Sequence, residues 1–564
     1  MSEESKTPPL SEVEHIKVNS RYLRGTIKES LADEITGSLY PDDLQLIKFH
    51  GTYMQSDRTV ESERKKQKLE PLYSFMIRVR VPAGVATAAQ WLALDALADT
   101  YGSHSLKLTT RQAFELHGVL KRNLKKTIKG INATLLDTLA ACGDVNRNVM
   151  ASANPALSGI HAEVHQLAKA VHRHLSPQTK AYHELWLNDK LVSGGEKNDV
   201  EPLYGKTYLP RKFKIAFAVP PVNDSDCLAN DIGLIAIVEQ GKLTGFNVAV
   251  GGGMGATFGM PETFPRLASV IGFVPKAKVV DVCEKIMLLQ RDNGNRSNRK
   301  LSRLKYTVER MTVAGFKAEV EKRLGYGLEL VRPYQFTTNG DQYGWKKGED
   351  GQWHITLFIE GGRVKDTVDY PLKTALRAIA GIHKGVFILS GNQNLVIADI
   401  SEAARPQVQS LLDEYGISAH QKISGARGNG LACVAMPVCP LAFADAETYL
   451  PLFMDKLDIV LAKHGLRDVP LNVRMTGCPN GCARPFLGEI AMIGRAAGKY
   501  NLYLGASHTG DRLNSLYKEM LGEQDILTIL DGLLEQFARE RQPGEMFGDF
   551  TVRKGIVKAN DIKK

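Results

Sequence analysis

The sequence predicts an internally duplicated α+β protein, with mixed helix-and-strand modules in two fused copies arranged as about three domains. Three observations carry that prediction. A strand, a turn, an amphipathic helix and a second strand recur roughly 250 to 280 residues apart, too far for a solenoid period. Period-two and helical stretches alternate along the chain, with antiparallel hairpins expected between them. Four of the seven cysteines fall in two short clusters, and only in the second copy.

Residues 1–72 show little periodicity and are expected to form an N-terminal extended arm. The polar start, Met1 to Lys17, has no apolar stretch of the kind a secretory signal needs. No apolar run approaches the roughly 18 residues of a membrane span, so a cytoplasmic protein without a membrane partner is expected.

Residues 73–141 read as a first half-domain. Ser74 to Val81 is a strand, Pro82-Ala-Gly a turn, Ala89 to Ala98 a helix, and Leu106-Lys-Leu-Thr-Thr-Arg-Gln-Ala-Phe-Glu-Leu116 a hairpin. Residues 345–420 repeat it with Trp353 to Ile359, Gly361-Gly362, Pro371 to Ile382, and Phe387-Ile-Leu-Ser-Gly-Asn-Gln-Asn-Leu-Val-Ile397. Residues 142–344 and 421–564 form the second pair of copies. There Gly245-Phe-Asn-Val-Ala-Val-Gly251 matches Lys499-Tyr-Asn-Leu-Tyr-Leu-Gly505.

The cysteine clusters are Cys433-x5-Cys439 and Cys478-x3-Cys482. Four thiolates suit a cubane iron–sulfur cluster, one for each iron. A structural zinc would accept the second pair, but the first is too widely spaced. Gly477 and Gly481 let backbone N–H groups approach the sulfurs, and Pro479 with Asn480 favours a loop over a helical turn. Cys142, Cys227 and Cys283 stand alone and read as buried small hydrophobes.

The net charge of +10 points to an acidic partner or a polyanionic ligand. The cations are dispersed and no nucleic-acid motif is present. In Phe75-Met-Ile-Arg-Val-Arg-Val81, alternation puts Arg78 and Arg80 on one face. The run Arg211 to Val219 reads as a strand with Lys212 and Lys214 sharing a face with Ala216 and Ala218. That face suits an anion; its ordinary alternative is a solvated strand. Arg111 and Arg147 are placed in polar turns. Gly251-Gly-Gly253-Met-Gly-Ala256 loosely matches a dinucleotide fingerprint, but Gly259 and Pro261 break the helix that should follow. It reads as a glycine-rich loop near a ligand. No flavin or NADPH site is expected on this chain.

With these residues in place, the chain resembles the siroheme-containing sulfite and nitrite reductases, most nearly their haemoprotein-subunit branch. The likeness runs over nearly the whole length. It rests on Asn19-Ser-Arg-Tyr-Leu-Arg-Gly-Thr26, Leu108-Thr-Thr-Arg-Gln112, Asp144-Val-Asn-Arg-Asn148, Tyr208-Leu-Pro-Arg-Lys-Phe-Lys214, both cysteine clusters and Phe547-Gly-Asp-Phe-Thr-Val-Arg553. Val438 departs from it, since relatives often have Thr there.

The resemblance implies ferredoxin-like half-domains around a siroheme–[4Fe–4S] centre. It implies cluster ligation by Cys433, Cys439, Cys478 and Cys482, with Cys482 also axial to the siroheme iron. Arg78, Arg147, Lys212 and Lys214 would surround sulfite. Arg111, Gln112, Arg299, Lys305 and Asn480 would contact the cofactor. The implied activity is six-electron reduction of sulfite to sulfide in assimilatory sulfur metabolism. Electrons would come from an NADPH-dependent FAD/FMN flavoprotein (alpha) subunit in a hetero-oligomer, or alternatively from a ferredoxin. A siroheme nitrite reductase, a non-catalytic iron–sulfur carrier and a zinc-stabilised binding module are the competing expectations.

Overall fold

The computed structural model describes residues 9–178, 185–187, 190–193 and 201–560. The opening residues of the expected arm, 1–8, lie outside the described residues.

The first half-domain is a five-stranded antiparallel sheet. Its strands run in the order Thr52–Ser56, Tyr73–Val79, Phe114–Val119, Leu106–Leu108 and Arg363–Val364. Its repeat orders Gly344–Lys347, Trp353–Leu357, Leu395–Ile400, Val386–Leu389 and Val85–Thr87. Each half therefore lends one edge strand to the other. Arg363–Val364 pairs with Lys107 and Leu106, while Val85–Thr87 pairs with Val386–Ile388. The exchange turns through Gly84 and Gly362, both at left-handed φ (82° and 69°). A Cβ there would meet the Leu389 and Leu108 carbonyls at 2.6 and 2.3 Å, so only glycine fits.

The two halves share one core. Trp91, on helix Ala88–Tyr101, stacks on Phe387 of the other half at 4.7 Å and meets Phe114 edge-on at 5.6 Å. Gln112 and Gln393 repeat the same brace: each sits at positive φ and reaches across, to the Leu389 carbonyl (3.0 Å) and the Leu108 carbonyl (3.5 Å).

The other pair of copies is equally regular. Ile215–Ala218 and Ile232–Glu239 are parallel; Lys242–Val250 and Ser269–Pro275 continue antiparallel. In the second copy, Leu431–Ala432, Val473–Thr476 and Ile490–Ala496 are parallel, followed antiparallel by Lys499–Leu504 and Ser515–Leu521.

Two expectations are corrected. The run Arg211–Val219 is a strand only over Ile215–Ala218. Upstream, Phe213 bridges to Asn146, and Lys214 gives its backbone N–H to the Asp231 carboxylate (2.9 Å), which takes the segment out of the ladder. The described part of residues 1–72 is not an extended arm. It carries helices Glu12–Asn19 and Ile27–Ala32, and its strand Thr52–Ser56 completes the first sheet. Apolar residues spaced for burial, Ile16, Leu23, Leu46 and Phe49, anchor it in the core. Among the described residues no helix is long and apolar enough to cross a membrane.

Candidate metal centre and anion site

The Cys478–Cys482 stretch is a loop, as Pro479, Asn480 and Gly481 dictate, with Gly481 at φ 72°. It lies on the glycine-rich loop. The Ala256 N–H donates to the Pro479 carbonyl (2.9 Å), and a Cβ on Gly481 would stand 2.5 Å from the Met254 carbonyl oxygen. The first cluster approaches from the neighbouring strand end, where the Cys433 N–H donates to the Met475 carbonyl. The Gly477 N–H points at Cys433 Sγ (3.4 Å) and Asn480 Nδ2 at Cys478 Sγ (3.3 Å). Both are the donors a thiolate needs.

The thiols converge. Burial pushes the Cys433 thiol well up, and its neighbours Cys482, Cys478 and Cys439 add to that. Burial moves Cys439 up to about 11 and raises Cys478. Stripped of a metal, such a group resists ionisation; a bound cation reverses the preference. No three of the four sulfurs lie within 4.8 Å of one another. A single zinc, with Zn–S near 2.3 Å, would draw them closer than that. The donor set and its spread fit a cubane cluster.

Across from Cys482 stands an array of cations. Burial, then Arg211, pulls the Lys212 ammonium down to about 7, while Cys482 acts in the opposite sense. Burial and then Arg111 hold Lys214 well below the usual lysine range, again with Cys482 opposing. Neither ammonium has a hydrogen-bond partner among the described residues. Arg211 is half-buried, likewise without a side-chain hydrogen bond among the described residues, and desolvation lowers it to about 10. Unpaired, desolvated cations of this kind are costly unless an anion meets them.

The remaining expected residues take several positions. Arg78 is ion-paired to Glu115 and donates to Cys142 Sγ (3.2 Å). Arg147 is buried and spends its guanidinium on the Gly143 (2.8 Å) and Ala141 (3.2 Å) carbonyls. Arg111 donates to the Ile215 carbonyl and to Asn230 Oδ1, while its buried Nε has no partner. Burial, with Arg484 nearby, lowers Arg111 to about 9. Gln112 is the buried brace described above. Arg299 forms a bidentate pair with Asp144 (2.7 and 2.9 Å). Lys305 donates to the carbonyls of Gly253 (3.2 Å), Gly255 (2.6 Å) and Phe264, so its ammonium staples the glycine-rich loop. Asn480 is exposed beside Cys478.

Sequence reasoning missed Arg211, Tyr53 and Asp231. The Tyr53 hydroxyl sits among Cys142, Arg147, Arg78 and Arg211, and burial raises it. Asp231 takes Arg303 (2.8 Å) and the Lys214 backbone. Arg211 adjoins Lys212 and was legible in the basic run. Tyr53 carried no signal, because its strand was not expected.

The comparisons agree with this architecture. The family described as "Nitrite/Sulfite reductase ferredoxin-like half domain" matches residues 67–134 and 346–415. "Nitrite and sulphite reductase 4Fe-4S domain" matches residues 168–327, the copy without cluster cysteines. The duplication relates that copy to the one bearing the thiols. A protein of Anoxybacillus flavithermus is 57% identical over 550 residues, 98% of this chain and 96% of that protein. One of Staphylococcus saprophyticus is 56% identical over 548 residues, 97% and 96% of the two chains. Both are described as "Sulfite reductase [NADPH] hemoprotein beta-component". The structure of the Mycobacterium tuberculosis NirA protein superposes with a TM-score of 0.76 at 23% identity, covering 97% of this chain and 96% of that one, which establishes the shared fold. With relatives this similar along nearly its entire length, the chain belongs to the nitrite and sulfite reductase family.

Proposed function

We propose that this chain is the haemoprotein component of a sulfite reductase, which carries sulfite through six electrons to sulfide. One observation carries the reading: four converging cysteines face two half-buried, desolvated lysines that have no hydrogen-bond partner among the described residues. The near-full-length likeness to proteins described as hemoprotein beta-components supports it.

Cys433, Cys439, Cys478 and Cys482 would hold the [4Fe–4S] cluster, and Cys482, the exposed one, would be the thiolate shared with the siroheme. Siroheme and cluster together supply the electrons to sulfur when bound. Everything else falls to the side chains. Siroheme carries eight carboxylates, and Arg111 with its orphaned Nε, Arg211 and Arg299 offer cations to them. Lys212 and Lys214 face the substrate oxygens, whose charge must be held while S–O bonds break. An ammonium near neutrality can also give up a proton as each oxygen leaves as water. Arg78 and Arg147, fixed by Glu115 and by backbone carbonyls, contribute field more than free donors. Electrons enter from a partner NADPH-dependent flavoprotein subunit, in keeping with the "[NADPH]" and "beta-component" of the relatives' descriptions.

Steady-state turnover of the cofactor-loaded protein with a reduced viologen tests the assignment. Sulfite should be consumed with sulfide formed in equal amount, and faster per active site than nitrite. A loaded protein that turns over nitrite alone would overturn it.

A further inference from the structure

Behind Cys482, where the two copies meet, lies a buried ionic node that neither the cysteines nor the anion site explains. Asp226 and Arg484 stand 258 residues apart. They hold equivalent places in the two copies. Each caps a one-turn helix, Cys227–Ala229 or Pro485–Leu487, and each is in the left-handed region, at φ 46° and 51°. Such conformations cost of order 1–3 kcal/mol in non-glycine residues and persist where the surroundings over-determine them. Here they bring the two residues together: Arg484 Nε donates to Asp226 Oδ2, which also takes Arg474 Nη1 at 2.7 Å. Asp226 is fully buried and the two arginines nearly so.

The rest of the Arg484 guanidinium reaches both half-domains. Nη1 donates to the Thr110 carbonyl (3.1 Å); Nη2 donates to the Gly391 carbonyl (2.9 Å) and Asn392 Oδ1 (3.2 Å). Thr110 and Gly391 occupy equivalent turns of the repeated hairpin. The Thr110 hydroxyl in turn donates to the Cys482 carbonyl oxygen (3.0 Å). Cys482 is thus gripped twice, by its own chain through Arg484 two residues on and by the Thr110 turn that Arg484 holds. The same turn carries Arg111. The place of Cys482 is taken in the first copy by Asp224, whose carboxylate accepts from the Ser152 hydroxyl (2.7 Å) and whose carbonyl oxygen takes Asn392 Nδ2 (3.4 Å) from the equivalent turn.

We infer that Arg484, fixed by Asp226, is a positioning residue that sets the place of the Cys482 sulfur relative to the anion site and so the electronic coupling between cluster and siroheme. The inference rests on the reading of Cys482 as the shared ligand. Within the node two guanidinium cations meet the Asp226 carboxylate, and Asp341 acts on Arg484 from beyond Asn392, so removing the Asp226 charge would favour the reduced cluster.

The test uses the cofactor-loaded protein and the variants Asp226→Asn and Thr110→Val. It reads cofactor content by absorption, cluster midpoint potential, siroheme–cluster coupling by paramagnetic resonance, and melting temperature. Both variants are expected to load siroheme and cluster and to lose part of the coupled signal. Asp226→Asn, which makes the node more positive, should move the cluster midpoint upward. Thr110→Val removes one half-buried hydroxyl and keeps the question open to decision should Asp226→Asn fail to fold. Loaded variants with wild-type coupling and potential, differing only in melting temperature, would overturn the inference and leave the node a structural support. A wild-type protein showing no coupling would instead sink the assignment of Cys482.

Discussion

Lys212 illustrates how one residue ties burial to chemistry. Its ammonium is held down to about 7 mainly by desolvation, in a chain whose unfolded state keeps lysine near 10.5. Between those values the unfolded chain binds more protons than the folded one, so stability of the cofactor-free protein rises with pH from about 7 towards 10.5. Melting temperatures measured across pH 7 to 9 should climb, and less steeply in Lys212→Met; an identical slope in both proteins would count against this account of Lys212. In the loaded enzyme the same residue should matter differently. Lys212→Met is expected to keep both cofactors and lose on the order of 10²-fold or more in sulfite turnover. Wild-type rates at full cofactor content would remove it from the site. Arg147 makes a contrast, since its guanidinium is already committed to carbonyls at 141 and 143. Arg147→Ala should therefore lower melting temperature as well as turnover, because those carbonyls lose their donors.

At the scale of elements, glycine at left-handed φ decides the local architecture. Gly481→Ala places a Cβ 2.5 Å from the Met254 carbonyl at φ 72°, so the cysteine loop must lift off the glycine-rich loop. The backbone term alone costs about 1–2 kcal/mol. The expected outcome is a lower iron and sulfide content per chain, measured chemically, with the half-domains intact by circular dichroism. Unchanged iron content would show that the contact is dispensable. These elements were unequally legible in the sequence. Hairpin, helix and cysteine loop were readable from alternation, turn residues and Pro-Asn-Gly. The exchange of Val85–Thr87 and Arg363–Val364 was not, because two- and three-residue edge strands carry no period and their partners are about 300 and about 256 residues away. The basic run failed as a strand for a related reason. Its alternation was real, but Asp231, remote in sequence, captured the Lys214 N–H. Tyr53 and the buried placement of Arg147 were set by tertiary contacts that no local pattern encodes.

For the whole molecule, the duplication supplies two copies of one scaffold, and substitutions at equivalent places divide the labour. One copy keeps the thiols; the other supplies Lys212 and Lys214. The two meet at Asp226 and Arg484. The centre therefore needs both copies, and loss of either should abolish it. Cys439→Ser leaves the lysines in place and should give a protein without the cluster and without sulfite turnover. The central claim is that the four sulfurs and the facing cations form one coupled redox site. Anaerobic absorption and paramagnetic resonance of the purified chain, with and without sulfite, address it directly. The account predicts siroheme and [4Fe–4S] signals in equal stoichiometry, mutual coupling, and a siroheme spectrum perturbed by sulfite. A protein that binds iron and sulfide but shows uncoupled centres, or a siroheme band indifferent to sulfite, would contradict it.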